Sequence, residues 1–215
     1  MQINRYEDDC FYYFWKPAGL PSTFWKEKCF LDFLLESKDR FISEIVLYLK
    51  DMFWKEQEYW LLNRLDNETS GLLYFAKNPN IKLKYKKSQD AWEVIKHYIA
   101  DVYWNFQNKS IEISHPIWHH KFSKDRMVVF LDETKTGKID KKRLKNTKTY
   151  VEKLYHDPET NVSTVFVKIS KWVRHQIRAH LSSIWYPIVG EKIYIKKNKK
   201  NWILHLFSIG LSREK

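Results

Sequence analysis

Asn63–Asn78 reads NRLDNETSGLLYFAKN, and it organises the reading of everything around it. Gly71–Ala76 is a short apolar run ending in Ala-Lys-Asn, as a buried strand would. Tyr59–Asn63, YWLLN, is a second such run just upstream. The polar segment RLDNETS between them predicts a tight connection that holds Asp66 at the edge of a core, with Arg64 two residues before it. Taken alone, D-N-x-T-S-G is also the composition of an ordinary turn, whose side chains bond their own backbone.

Outward from this stretch, CFYYFWKPAGLPS (10–22) predicts a buried strand running into a Pro/Gly turn. Phe41, Ile42, Ile45, Val46, Leu49 and Phe53 recur at helical spacing, which predicts a helix over Phe41–Trp54. Lys82–Lys96 is polar and reads as helix. HYIADVYW (97–104) is dominated by β-branched and aromatic residues and reads as strand. TYVEKLY and STVFVKIS form a hairpin across HDPETNV, and HQIRAHLSSI (175–184) is a short helix. Thr134–Lys148 is a charged loop, and Lys196–Lys200 a basic surface run. The fold class expected is α+β.

Four segments then fall in one order. NRLDNETSGLLYFAKN resembles the HRLDxxTSG signature of the RluA-type pseudouridine synthases, with its following apolar strand and AK. KPAGLPS (16–22) is similar to that family's N-terminal turn, and KHYIADVYW (96–104) to its K-x-Y-x-A strand. HQIRAHLSSIWYPIVGEKIY (175–194) resembles its HQIRxHL…PIxGDxxY segment. Collinear agreement is far more specific than any single motif.

The resemblance implies a pseudouridine synthase fold: a mixed, largely antiparallel central sheet flanked by helices and loops. One catalytic domain over residues 1–215 is expected, and the short stretch before KPAG leaves too little room for the separate N-terminal RNA-binding domain that many members carry. The resemblance implies an isomerase that converts uridine to pseudouridine, with Asp66 as the reacting carboxylate, Tyr98 stacked on the flipped uracil, and Arg178 as the ion-pair partner of Asp66. Arg64, Lys16, Arg174, His175 and Gln176 are implied RNA contacts. Breaking the N-glycosidic bond and rejoining C5 to C1′ oxidises nothing, so no cofactor and no metal is expected. His115, His119 and His120 lack the cysteine or carboxylate pattern of a metal site. The alternative is a non-catalytic RNA-binding protein on the same scaffold. A glycosidase-like pair of carboxylates is poorly served, because Glu68 is the only acid near Asp66 and lies two residues away along a turn.

Bulk properties fit this frame. Thirty-eight Lys and Arg against 26 Asp and Glu give +12 in 215 residues. That excess favours a polyanionic partner, here structured RNA such as a tRNA or rRNA stem-loop; a Lys-rich solvated surface from an AT-rich genome would look the same. Two cysteines make neither a disulfide framework nor a metal cluster and suit a reducing cytoplasm. No run is long and apolar enough for a membrane span. No obligate protein partner is evident, and a monomer is expected.

The departures are informative. Asn63 replaces the family's histidine, and Val173-Arg174 replace its Arg-Thr before HQIR. Trp60, Trp104, Trp172 and Trp185 stand where the family pattern has glycine. The chain has 5 Gly and 10 Trp, and glycine at all of them would make 15 of 215, near the usual ~7%. UGA codons read as glycine but translated as tryptophan would produce this pattern; UGG codons at positions 172 and 185 would exclude it. Genuine tryptophans forming an RNA-stacking surface are the other explanation.

Overall fold

The computed structural model describes residues 4–23, 28–52, 61–120, 123, 126–131, 144–195 and 203–213. The chain divides into two compact units, Met1–Ala91 and Trp92–Lys215.

In the first unit, β1 (Arg5–Glu7), β2 (Phe11–Lys16) and β3 (Ser70–Ala76) lie side by side, β2 antiparallel to both neighbours. The expected strand over Tyr59–Asn63 is only partly realised. Residues 59 and 60 lie outside the described residues, and Leu61 forms an isolated bridge to Phe75. Beyond it the ladder is continued by a side chain: Asn63 Nδ2 donates to Leu72 O (3.1 Å), and Tyr74 N donates to Asn63 Oδ1 (2.9 Å). Asn63 is buried. Its carboxamide, which here donates one hydrogen bond and accepts one as a peptide group would, stands in for backbone. Asn63→Ala is expected to lower the unfolding free energy by about 2 kcal/mol, because it strands a buried N–H and C=O together; urea titration would measure this.

The helices among the described residues of this unit are α1 (Phe30–Leu35), α2 (Arg40–Met52) and α3 (Pro79–Asp90). On α2, Ile42, Ile45, Val46 and Leu49 are buried, matching the predicted apolar face. The helix is described as far as Met52, and Phe53 and Trp54 lie outside the described residues. The polar helix starts earlier than expected, with Asn78 Oδ1 capping Ile81 N and Pro79 in the first turn. It also stops earlier: residues from Val94 are already strand.

The second unit is built on a five-stranded antiparallel sheet in the order β10 (Leu206–Arg213), β4 (Val94–Tyr103), β9 (Val162–Ile169), β8 (Thr149–Asp157), β5 (Ser110–Ile113). β8 and β9 are the predicted hairpin. The burial of β4 alternates strictly, with Val94, Lys96, Tyr98, Ala100 and Val102 on the buried face. A separate two-stranded ladder joins β6 (Ile117–His119) to β7 (Met127–Val129). Helix α4 (Gln176–Ser183) is the predicted HQIR helix, and its Ala179 packs with Ile117 and Met127. These elements bear out the α+β class. Most of the predicted charged loop and the basic run at 196–200 lie outside the described residues.

Among the described residues, five non-glycine residues have positive φ, and three are tryptophan: Trp92 (62°), Trp104 (70°) and Trp185 (69°). Trp185 follows the C-cap Ile184 of α4. Its N–H bonds Ser182 O (3.2 Å) while Tyr186 N bonds Leu181 O (2.9 Å). That is a Schellman closure, whose left-handed residue is ordinarily glycine. Trp92 follows the C-cap Ala91 of α3 in the same way. Trp104 and Trp185 therefore have the backbone a glycine position requires, and Trp92 adds a third case. Trp172 keeps a negative φ, and Trp60 lies outside the described residues.

Candidate active site

In the first unit, the residues on either side of Asp66 are clamped by the turn at 16–22. Leu65 N donates to Ser22 Oγ (3.0 Å), and Ser22 Oγ donates back to Leu65 O (2.9 Å). Asn67 O accepts from Gly19 N (2.7 Å) and from Lys16 Nζ (3.2 Å). Gly19 adopts φ +86°, which lets its N–H turn towards the loop. A turn closed by Thr69 N to Asp66 O (3.0 Å) follows. The anchored positions 63 and 65 are buried, whereas Arg64 is exposed and Asp66 half-buried. The carboxylate is thus carried on a short segment fixed at both ends.

Lys16, implied as an RNA contact, is fully buried and also donates to Pro17 O (2.9 Å) and Leu20 O (2.8 Å). Its task in the structure is to tie the turn to the Asp66 loop. Burial drags its pKa down to about 8, against the opposing pull of the Asp66 and Glu68 charges. That opposition places the ammonium within electrostatic reach of both acids.

In the second unit, Tyr98 is buried on β4, two residues from buried Lys96. Lys96 Nζ sits 3.6 Å from the ring centroid of Trp172, a cation–π contact. Tyr98 pairs in register with Val167 on β9 and Ser208 on β10.

The remaining implied residues lie on helix α4 or just before it. His175, its N-cap, is left-handed (φ 54°), and its Nδ1 lies 3.3 Å from the Tyr194 hydroxyl. Gln176 is buried; its Oε1 accepts from Val173 N, and its Nε2 donates to Lys148 O and Thr149 Oγ1. Like Lys16, it holds chain segments together. Arg174 is exposed.

Arg178 is 2% exposed and makes a two-pronged pair with Glu191: Nε to Oε2 at 2.7 Å and Nη2 to Oε1 at 2.8 Å. Asp66, its implied partner, belongs to the other unit; within its own unit the partner is Glu191. Glu191 is not among the residues to which the resemblance gives a role. The signal was present, since Glu191 occupies the acidic position of PIxGDxxY.

His180, also on α4, is enclosed between Thr149 Oγ1 (2.8 Å) and His115 O (2.9 Å). Burial lowers its pKa from 6.5 to about 4, so it is neutral at physiological pH. The unfolded chain takes up this proton near 6.5, and the folded chain only near 4. The stability His180 contributes is therefore complete above pH 6.5 and is lost as pH falls towards 4. The full effect is about 3 kcal/mol. Denaturant titrations across this window should show that loss, and His180→Gln should flatten it. Among the described residues no cluster of His, Cys, Asp and Glu could hold a metal ion, and no helix is long and apolar enough to cross a membrane.

Comparison with known proteins agrees with this layout. The sequence model of a family described as RNA pseudouridylate synthase matches residues 11–183. The mitochondrial tRNA pseudouridine(32) synthase of Saccharomyces cerevisiae is 31% identical over 140 residues, 65% of this chain and 28% of that protein. Ribosomal large subunit pseudouridine synthase C of Rickettsia felis is 29% identical over 218 residues, 97% of this chain and 62% of that protein. The chain thus spans less than two thirds of the length of these relatives. The solved structure of human RNA Pseudouridylate Synthase Domain Containing 1 superposes with a TM-score of 0.70 at 20% identity, covering 98% of this chain and 78% of that one. At that identity the likeness speaks for the fold.

Proposed function

The chain belongs to the RNA pseudouridylate synthase family, in its RluA-type branch, and from this premise we propose that it isomerises uridine to pseudouridine in structured RNA. The observation that carries the reading is the double clamp on Asp66, with Leu65 and Asn67 both tied to the 16–22 turn. A carboxylate that must meet C1′ of an extruded nucleotide gains most from being held in place beforehand.

Asp66 acts on the sugar, Tyr98 stacks on the uracil, and Arg178 keeps the carboxylate ionised. The N1–C1′ bond breaks, the base rotates, and C5 bonds to C1′. The C5 proton leaves and N1 gains one, so composition is unchanged. Exposed Arg64 and Arg174 meet phosphates or the displaced base, and His175 lies at the same end of α4. The family match runs across Ala91–Trp92, which supports treating both units as one catalytic domain. The names of its relatives include tRNA and ribosomal RNA enzymes, which supports either substrate class. Cys10 and Cys29 are both free thiols, as suits a protein working in a reducing cytoplasm.

The test is release of tritium from RNA labelled at uridine C5, using tRNA and rRNA transcripts in parallel. Release from either supports the reading and identifies the substrate. Binding of both without release would favour the RNA-binding alternative.

A further inference from the structure

Glu191 does more than neutralise a buried arginine. Its carboxylate holds Arg178 through two of the three guanidinium nitrogens, and Oε1 also accepts the backbone amides of Lys192 (2.9 Å) and Ile193 (2.7 Å). Glu191 N is itself tied to Ile188 O (3.0 Å). Gly190 before it has φ +85°, and a Cβ there would stand 2.1 Å from Ile203 O. The acid is thus delivered by a turn with no room to shift. Burial pushes its pKa up, but the guanidinium and the amides outweigh this and leave it below the usual carboxylate range.

A bidentate pair fixes the plane of a guanidinium as well as its place. Both partners are enclosed, so water offers no competing geometry. We infer that Glu191 is a positioning residue that aims Arg178 before RNA arrives. This rests on the role proposed above for Arg178 beside Asp66. The carboxylate also balances the guanidinium charge, so that Arg178 is not an uncompensated cation in its enclosed setting. The same oxygen organises residues 192–194, whose Tyr194 hydroxyl accepts from Met127 N (2.9 Å) and lies by His175 Nδ1. One acid therefore sets the aim of the arginine and the start of the helix that carries it.

The experiment compares wild type, Glu191→Gln and Glu191→Asp by tritium release from C5-labelled RNA, with kcat and KM separated and thermal unfolding recorded. Gln preserves shape but gives up the charge and one acceptor. Asp keeps the charge on a shorter arm. Expected is a kcat for Glu191→Gln about 10- to 100-fold below wild type at unchanged KM, with Glu191→Asp between the two. A Gln variant with wild-type kcat, or one that only raises KM, overturns the inference. Should the Gln protein fail to fold, the Asp protein decides on the same terms: reduced kcat at constant KM supports it, and wild-type kcat contradicts it. Absence of release by wild type removes the proposed function and this inference with it, whereas equal release by all three proteins removes the inference alone.

Discussion

Asp66→Ala is expected to abolish tritium release while leaving the fold and RNA binding intact. The carboxylate is half-buried, and the hydrogen bonds that fix its segment run through backbone atoms of Leu65 and Asn67 and the carbonyl of Asp66 itself. Truncating the side chain leaves those bonds in place. It also removes one of the two negative charges near Lys16, which lowers affinity for polyanionic RNA not at all. The loss falls on the chemical step, where removing a positioned carboxylate costs roughly 10^3-fold or more. Single-turnover release with saturating enzyme measures it. Parallel filter binding must show an affinity at least equal to wild type; a variant that loses binding and turnover together would make Asp66 part of the framework.

The second large effect concerns stability. Replacing Trp104 and Trp185 by glycine is expected to raise the unfolding free energy by about 2 kcal/mol in total. A left-handed backbone costs an L residue roughly 1–2 kcal/mol that glycine escapes, offset by glycine's larger entropy loss on folding. Trp185 is 81% exposed and Trp104 49% exposed, so little apolar burial is forfeited. The tilted contact of Trp104 with Tyr103 (6.0 Å) is between chain neighbours, whereas Trp92 loses both a cation–π contact with Lys171 and an edge-to-face contact with Trp172 (centroids 6.3 Å apart). Such a pair contributes about 0.5–1.5 kcal/mol, enough to cancel the gain. For a chain of this length the double variant should melt about 4–8 °C higher. An unchanged or lower melting temperature would leave the tryptophans as native residues adapted to their turns. Mass analysis of the protein isolated from its own host, or the codons themselves, would show which residue the organism places there.

The same residues explain which parts of the fold were legible in the sequence. Helix α2 was legible because its apolar positions recur every three to four residues, and β4 because its composition is β-branched and aromatic. The end of α3 was not: a glycine at position 92 would have marked the stop, whereas tryptophan let the polar helical pattern run on to Lys96. The upstream partner of β3 was over-read because Asn63 supplies its ladder bonds from a side chain, which no periodicity records. β1 and β10 escaped notice, the first for its three-residue length and the second for the Ser-Ile-Gly irregularity where its register shifts.

Among the candidate residues, Asp66, Tyr98 and Arg178 were legible only as members of a pattern. Lys16 and Gln176 were legible as positions, but not as buried framework. A lysine beside a Pro/Gly turn suggests a phosphate contact until its three carbonyl acceptors are seen. Glu191 stood at the acidic position of a family pattern, but its partner lies thirteen residues away on α4, a pairing that only the folded chain makes plain.

The decisive measurement is the nucleoside composition of an RNA substrate after incubation and complete digestion. Expected is a uridine isomer of unchanged mass, its ribose bonded to carbon, gained mole for mole as uridine disappears. Free uracil with an abasic residue, or RNA that is bound yet retains all its uridine, would contradict the claim that this protein rearranges a glycosidic bond.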